Sequence, residues 1–234
     1  MIGIIGGSGI YSLGKMKKEI IETPYGKVEA YLGKIGAEEG LFIPRHGSKH
    51  TLPPHKVNYK ANIWVMKEKE VDGIIAFYAA GIIDKYKPGE LVLLEDFIGL
   101  FAPITYFDSF EEEPKHADFS EAYSWELAED FAKAAEKAKI ELKDGGIIAT
   151  TVGPRFETGA EIKLLKDMGA NLVNMTSSYE ATLAGELGLN FCGVAVGTNY
   201  ATGVKDEKLT SEEVLEVMEK TNGKIKKIIA ELGK

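Results

Sequence analysis

Short unbroken apolar runs alternate along the chain with stretches in which apolar residues recur every three or four positions; the first pattern reads as buried strand, the second as one face of a helix. The runs predict strands at residues 1–5, 28–32, 40–44, 73–77, 91–94, 146–152, 171–175 and 189–197. The helical spacing predicts helices over 58–71, 123–139, 158–168, 179–187 and 211–232. In the first helix Ile63, Val65, Met66 and Val71 face a sheet with Trp64 beside them, and in the second Leu127, Phe131 and Ala135 recur every four, leaving the other side to solvent. Strands alternating with helices predict an α/β fold, an α/β/α sandwich around a mixed central sheet. No linker, repeat or low-complexity stretch divides the 234 residues, so residues 1–234 read as a single domain.

In such sheets ligands collect beyond the carboxyl ends of the strands, which directs attention to four loops. The first strand runs into Gly6-Gly7-Ser8-Gly9, whose unshielded N–H groups and one hydroxyl suit an oxyanion, although a tight turn alone explains the glycines. It is neither a P-loop, lacking Lys-Ser/Thr, nor a nucleophile elbow, since Ile10 stands where Gly is needed. RHGSKHTLPPH, 45–55, reads as a structured loop because no helix can include Pro53-Pro54. There Arg45 presents a planar fork suited to phosphate and His46 can add another donor. Thr176, after the strand ending near Met175, could supply a further hydroxyl, and Glu180, early in the next helix, either faces a ligand or favours the positive end of its own helix. The run 73–77 ends at Ala79-Ala80-Gly81, and Asn199 terminates the last core strand as a crevice amide or a turn residue.

Charge and composition narrow the function classes. The formal net charge of −8 provides no footprint for nucleic acid or an anionic membrane, so an anionic ligand must be held by local chemistry. No apolar stretch approaches the ~20 residues that span a bilayer. The N-terminus opens on a strand-like segment instead of a basic leader, so a cytoplasmic location is expected. The single Cys192 sits in an apolar run and reads as a buried core thiol. His46, His50 and His55 lie where no regular helix could put them on one face, and no Glu completes a zinc-protease pattern, so no metal and no cofactor are expected.

Taken in order, GGSG, RHG, PPHKVNYKANIW, VGPRFET and NMTSSYEA resemble the 5′-methylthioadenosine phosphorylase and purine nucleoside phosphorylase family over about residues 1–215. The resemblance implies a purine nucleoside phosphorylase-like fold, a homotrimer or homohexamer, and small-molecule partners only: a purine nucleoside, with inorganic phosphate as co-substrate. It implies that Ser8, Arg45, His46, the Ala79 backbone and Thr176 hold phosphate, that the ribose lies against Met175, that the base packs near Phe156, and that Glu180 and Asn199 face the purine. His116, in KHADFS, matches a position that reaches the 5′ substituent from a neighbouring subunit. Two positions depart from the pattern: Tyr78 stands where a phosphate-contacting Thr is common, and Tyr179 replaces a common Pro.

Cleaving the glycosidic bond builds positive charge on the sugar and negative charge on the departing base. The expected catalytic residues are Arg45 and His46, which orient the phosphate, and Asn199, which hydrogen-bonds the leaving group. Similar proteins acting on 6-aminopurines carry Asp at the position of Asn199 and a second Asp two residues on, where this chain has Ala201. The expected substrates are therefore 6-oxopurine nucleosides or 5′-methylthioinosine. The alternatives are 5′-methylthioadenosine phosphorolysis, since an amide can flip to read adenine, a water-using nucleosidase, and a non-catalytic nucleoside-binding protein.

Overall fold

The structure, a computed structural model, describes residues 1–109, 115–206 and 209–234. Residues 110–114, between the strand expected at 91–94 and the helix expected at 123–139, lie outside the described residues. The chain begins with β1 (Ile2–Gly6), β2 (Lys17–Thr23), β3 (Gly26–Ile35) and β4 (Glu38–Pro44), followed by α1 (Tyr59–Glu68), β5 (Gly73–Ile82) and β6 (Leu91–Ile98). It continues through α2 (Trp125–Lys137), β7 (Leu142–Thr150), α3 (Gly159–Asp167), β8 (Leu172–Asn174), α4 (Ser177–Glu186), β9 (Phe191–Tyr200) and α5 (Ser211–Glu231).

The helix ends follow local chemistry. Asn58 accepts from the Ala61 N–H to start α1, Ser124 caps α2, and Thr158 with Glu161 forms a reciprocal capping box on α3. Two elements differ from the sequence expectation. Strand β2 was not expected: it is a charged edge strand in which only Ile21 is buried, so it carries no apolar run to betray it. Pro54–Lys56 forms one 3₁₀ turn inside the loop expected to be free of helix, because proline is tolerated at a first helical position, where its missing N–H has no partner to lose.

The nine strands run in the order β2-β3-β4-β1-β5-β8-β7-β6-β9, and β9 also pairs with β5. The pairs β1–β4, β1–β5, β5–β9, β6–β7 and β7–β8 are parallel, the others antiparallel, which makes the sheet mixed. Pairing of β9 with both β5 and β6 closes β5, β8, β7, β6 and β9 into a ring, from which β1 to β4 extend as an open sheet.

Side chains alternate across this sheet with period two. Ile5, Ile74, Ala76 and Tyr78 pack on one face with Ile63, Met66 and Leu183 of α1 and α4. Ile4, Ile75 and Phe77 pack on the other with Phe131 of α2 and Met218, Ile225 and Ile228 of α5. A third, smaller cluster places Ile162 and Leu165 of α3 against Val173 and Ala201. No helix among the described residues is long and apolar enough to cross a membrane.

Candidate active site

A cavity of about 400 Å³ opens where β1, β4, β5, β8 and β9 present neighbouring segments to one place. Its wall includes Ser8, Arg45, His46, Ala79 and Thr176, together with Phe156, Glu157, Met175, Thr198 and Asn199. The expected anion-binding residues therefore converge, although they come from four separate parts of the chain.

The loops after β1 and β4 are tied together. The Arg45 N–H donates to the Gly6 carbonyl at 2.9 Å. A Cβ on Gly7 would stand 2.6 Å from Arg45 Nη1 and 2.6 Å from the Phe77 carbonyl oxygen, so only glycine lets the guanidinium approach. Asn222 of α5 donates to the Gly9 carbonyl at 3.0 Å and fixes the far end of the same turn.

Arg45 is 2% exposed. Its Nε and Nη2 donate to the two carboxylate oxygens of Glu180 at 2.5 and 2.7 Å, and its Nη1 donates to the Phe77 carbonyl at 2.9 Å. A guanidinium has five N–H groups, so two remain after these three bonds to meet an anion. Burial pulls the Arg45 pKa down, but the Glu180 charge outweighs it and the net direction is up, which keeps the group charged.

Glu180 corrects the sequence expectation. It does not face the purine: it is fully buried beneath Arg45, and its carboxylate takes hydrogen bonds from Arg45 and from the Tyr78 hydroxyl, the latter at 2.8 Å. The inward face of α4 carries Ser177, Ser178, Glu180 and Ala181 into the protein, which directs Glu180 under the cavity instead of into it. The two departures from the family pattern are also placed. Tyr78 packs under Arg45, and Tyr179 stacks on Tyr59 with ring centroids 4.8 Å apart.

His46 has its Nδ1 2.8 Å from the Leu52 carbonyl, which assigns the proton to Nδ1 and leaves Nε2 as an acceptor. Burial, reinforced by the Arg45 charge, pulls its pKa down to about 4. The neutral ring is thus not the extra donor expected from sequence; it is suited to accept from the P–OH of a protonated phosphate. Thr176 begins α4 without capping it through its own side chain and lines the cavity at the positive end of the helix, its hydroxyl 3.5 Å from Asn174 Nδ2. Ser8 Oγ lies 3.5 Å from Nε2 of His50, another residue of the cavity wall.

Phe156 also lines the wall, at 38% exposure. Asn199 is also on the wall, inside β9 at its next-to-last residue, close to the strand end where it was expected. Ala79, expected where β5 ends, is likewise within the strand. The register between them slips: Ala80 pairs with Gly197 and Gly81 with Asn199, leaving Thr198 as the extra residue of a bulge. A bulge re-aims side chains that would otherwise alternate, and here consecutive Thr198 and Asn199 both line the cavity. Thr198 Oγ1 donates to Asn199 Oδ1 at 2.7 Å, and Asn199 Nδ2 donates to the Tyr200 carbonyl at 3.0 Å. The amide is thereby oriented, with its second N–H left for a ligand.

Glu157 was missed by sequence reasoning although it follows Phe156 in the VGPRFET motif. It is 6% exposed, accepts from the Thr151 hydroxyl, and faces the cavity; burial pushes its pKa up. A carboxylate beside an aromatic residue on a loop was the available signal. His116 is exposed and lies outside the cavity of its own chain. Among the described residues, no group of His, Cys, Asp or Glu could hold a metal ion.

A family model described as the phosphorylase superfamily matches residues 1–233. The chain is similar to a protein of Moorella thermoacetica named "Probable 6-oxopurine nucleoside phosphorylase", at 43% identity over 95% of this chain and 88% of that one. It is similar to a "Probable S-methyl-5′-thioinosine phosphorylase" of Methanopyrus kandleri, at 38% identity over 97% of this chain and 90% of that one. Among solved structures, methylthioadenosine phosphorylase from Schistosoma mansoni in complex with adenine superposes with a TM-score of 0.90 at 29% identity, covering 99% of this chain and 89% of that one.

Proposed function

Because the chain belongs to the phosphorylase superfamily, we propose that it is a pentosyltransferase that splits the N-glycosidic bond of 6-oxopurine nucleosides, including 5′-methylthioinosine, with inorganic phosphate. The products are the free base and the corresponding ribose 1-phosphate. The names carried by its relatives support phosphorolysis and a 6-oxopurine substrate.

One observation carries the base preference. Glu157 offers an acceptor and Asn199 an oriented donor on the wall of the same cavity. A 6-oxopurine has a donor at N1–H and acceptors at O6 and N7, which complements that pair. A 6-aminopurine presents the reverse at N1 and the amino group, so the carboxylate would face a lone pair.

In the reaction, the C1′–N9 bond lengthens and leaves its electron pair on the purine while the ribose gains oxocarbenium character. Phosphate, held by the two spare N–H groups of Arg45, by Ser8 and Thr176, and by donation of its own P–OH to His46 Nε2, places a charged oxygen beside C1′. That oxygen forms the new C1′–O bond, and the departing purine anion takes up a proton from solvent, matched by the proton that the new phosphate ester gives up. Asn199 donates to O6 or N7 as charge accumulates there, a bond that strengthens toward the transition state. No residue needs to become covalently attached to the sugar, and no resident metal or cofactor is required.

The apolar residues Leu52, Leu209, Val214 and Leu215 on the cavity wall support acceptance of an uncharged 5′ group such as methylthio. The match of His116 to a family position that reaches a neighbouring subunit's substrate supports a homotrimer or homohexamer in which a second copy completes this wall. A panel of inosine, guanosine, 5′-methylthioinosine, adenosine and 5′-methylthioadenosine, assayed for free base with and without phosphate, tests the reading. Release from the 6-oxopurines that requires phosphate supports it; release that proceeds equally without phosphate contradicts it.

A further inference from the structure

Tyr78 has no place in the chemistry described so far. It neighbours Ala79 in β5, but successive strand residues point to opposite faces, and while Ala79 lines the cavity Tyr78 lies beneath it at 1% exposure. Its hydroxyl donates to Glu180 Oε2 at 2.8 Å, and its ring lies 4.5 Å from Cζ of Arg45. Glu180 Oε2 therefore receives two donors, Arg45 Nη2 and the Tyr78 hydroxyl, while Oε1 receives Arg45 Nε.

This arrangement fixes the guanidinium in two ways. The fork-to-fork pair makes the planes of Arg45 and Glu180 move together, so the hydroxyl that pins one carboxylate oxygen also limits rotation of the guanidinium. The ring covers one face of the same group, which fixes its tilt. A phosphate held by the two remaining N–H groups senses both, since those donors point wherever the plane points.

We propose that Tyr78 is a positioning residue of the phosphate site, acting on Arg45 through Glu180 and through ring contact, at a position where the family pattern has a residue that touches phosphate directly. The proposal rests on the phosphate reading above. It assigns the same task to a different device: anion contact from this strand position is replaced by control of the arginine that makes the contact.

The test is the Tyr78→Phe variant of the full chain, which deletes one hydroxyl and keeps the ring. Initial rates are measured with phosphate varied at saturating inosine, and with inosine varied at saturating phosphate. We expect the KM for phosphate to rise about tenfold, the factor matching ~1.4 kcal/mol near the lower end for hydrogen bonds to charged groups. The KM for inosine should stay within about twofold, because uncoupled distant contacts contribute little to each other.

Adding Tyr78→Phe to Glu180→Gln should raise the phosphate KM less than about twofold further, since the hydroxyl acts through the carboxylate. As a readout independent of turnover and of the Glu180 variant, inorganic phosphate should raise the thermal midpoint of both wild type and Tyr78→Phe. The single variant should need about ten times more phosphate for the same rise. An unchanged phosphate KM and an unchanged phosphate midpoint titration in Tyr78→Phe would overturn the proposal while leaving phosphorolysis intact, and so would an equal rise in both KM values. A wild type whose base release ignores phosphate would overturn the proposal and the phosphate reading together.

Discussion

Replacing Glu157 by Gln tests the base preference with almost no change of shape. The Thr151 hydroxyl already donates to Glu157 Oε1, and in the variant that hydroxyl would select the amide oxygen, turning the NH₂ toward the base. A 6-oxopurine N1–H would then meet a donor instead of a carboxylate. The loss is a hydrogen bond to a charged group, about 1.5–3 kcal/mol, or roughly 10- to 150-fold in kcat/KM for inosine. A 6-aminopurine, whose bare N1 can accept from the new NH₂, should lose nothing and can gain about 0.5–1.5 kcal/mol. The assay is free-base release from inosine and adenosine, or their 5′-methylthio forms, at saturating phosphate. The phosphate KM, governed by other residues of the wall, should be unchanged. An unaltered ratio of the two specificity constants would refute the assignment of Glu157 to the base edge.

Asn199→Asp should shift preference toward 6-aminopurines, incompletely because Ala201 remains; the inosine to adenosine ratio of kcat/KM checks it. Arg45→Ala should raise the phosphate KM by about 100-fold or more, since it removes a charged donor pair worth several kcal/mol, while normal phosphate saturation in that variant would remove Arg45 from the site. His46 gives a pH dependence of stability whose sign follows from its lowered pKa. The unfolded ring binds a proton near its ordinary 6.5 and the folded ring only near about 4. Its contribution is therefore constant above 6.5 and is lost as pH falls from 6.5 to about 4, by ~3 kcal/mol in all. Thermal midpoints across that window should fall less steeply in His46→Gln than in wild type; parallel curves would contradict the buried neutral ring.

The turns that bring Ser8 and Arg45 to the cavity wall were legible in the sequence because their requirements are local. Glycine beside Ser8 and Arg45 removes side chains from the path of an anion, and Gly7 does so with little tolerance, given the 2.6 Å that would separate its Cβ from Arg45 Nη1. The helix limits were legible where capping chemistry marks them, as Thr158 and Glu161 do for α3. What escaped depends on long-range pairing. Closure of the ring rests on β5 meeting β9, and the slip at Thr198 that aims two successive residues into the cavity leaves no periodic trace. The direction of Glu180 was similarly invisible: its partner Arg45 is 135 residues away, and helix spacing near the start of α4 reports a buried face without saying what lies beneath it. Glu157 was legible only as a carboxylate beside Phe156 on a loop, a weak signal until the fold brings both residues to the cavity wall.

The central claim is that a phosphate oxygen, held between Arg45, Ser8 and Thr176, becomes the oxygen on C1′ of the sugar. Running the reaction on inosine with ¹⁸O-labelled inorganic phosphate in ordinary water, and weighing the sugar product by mass spectrometry, follows that oxygen directly. The account predicts ribose 1-phosphate that retains every labelled oxygen of the phosphate, including the one bridging to C1′. Unlabelled free ribose accumulating at the rate of base release would show that water, and not phosphate, attacks the sugar.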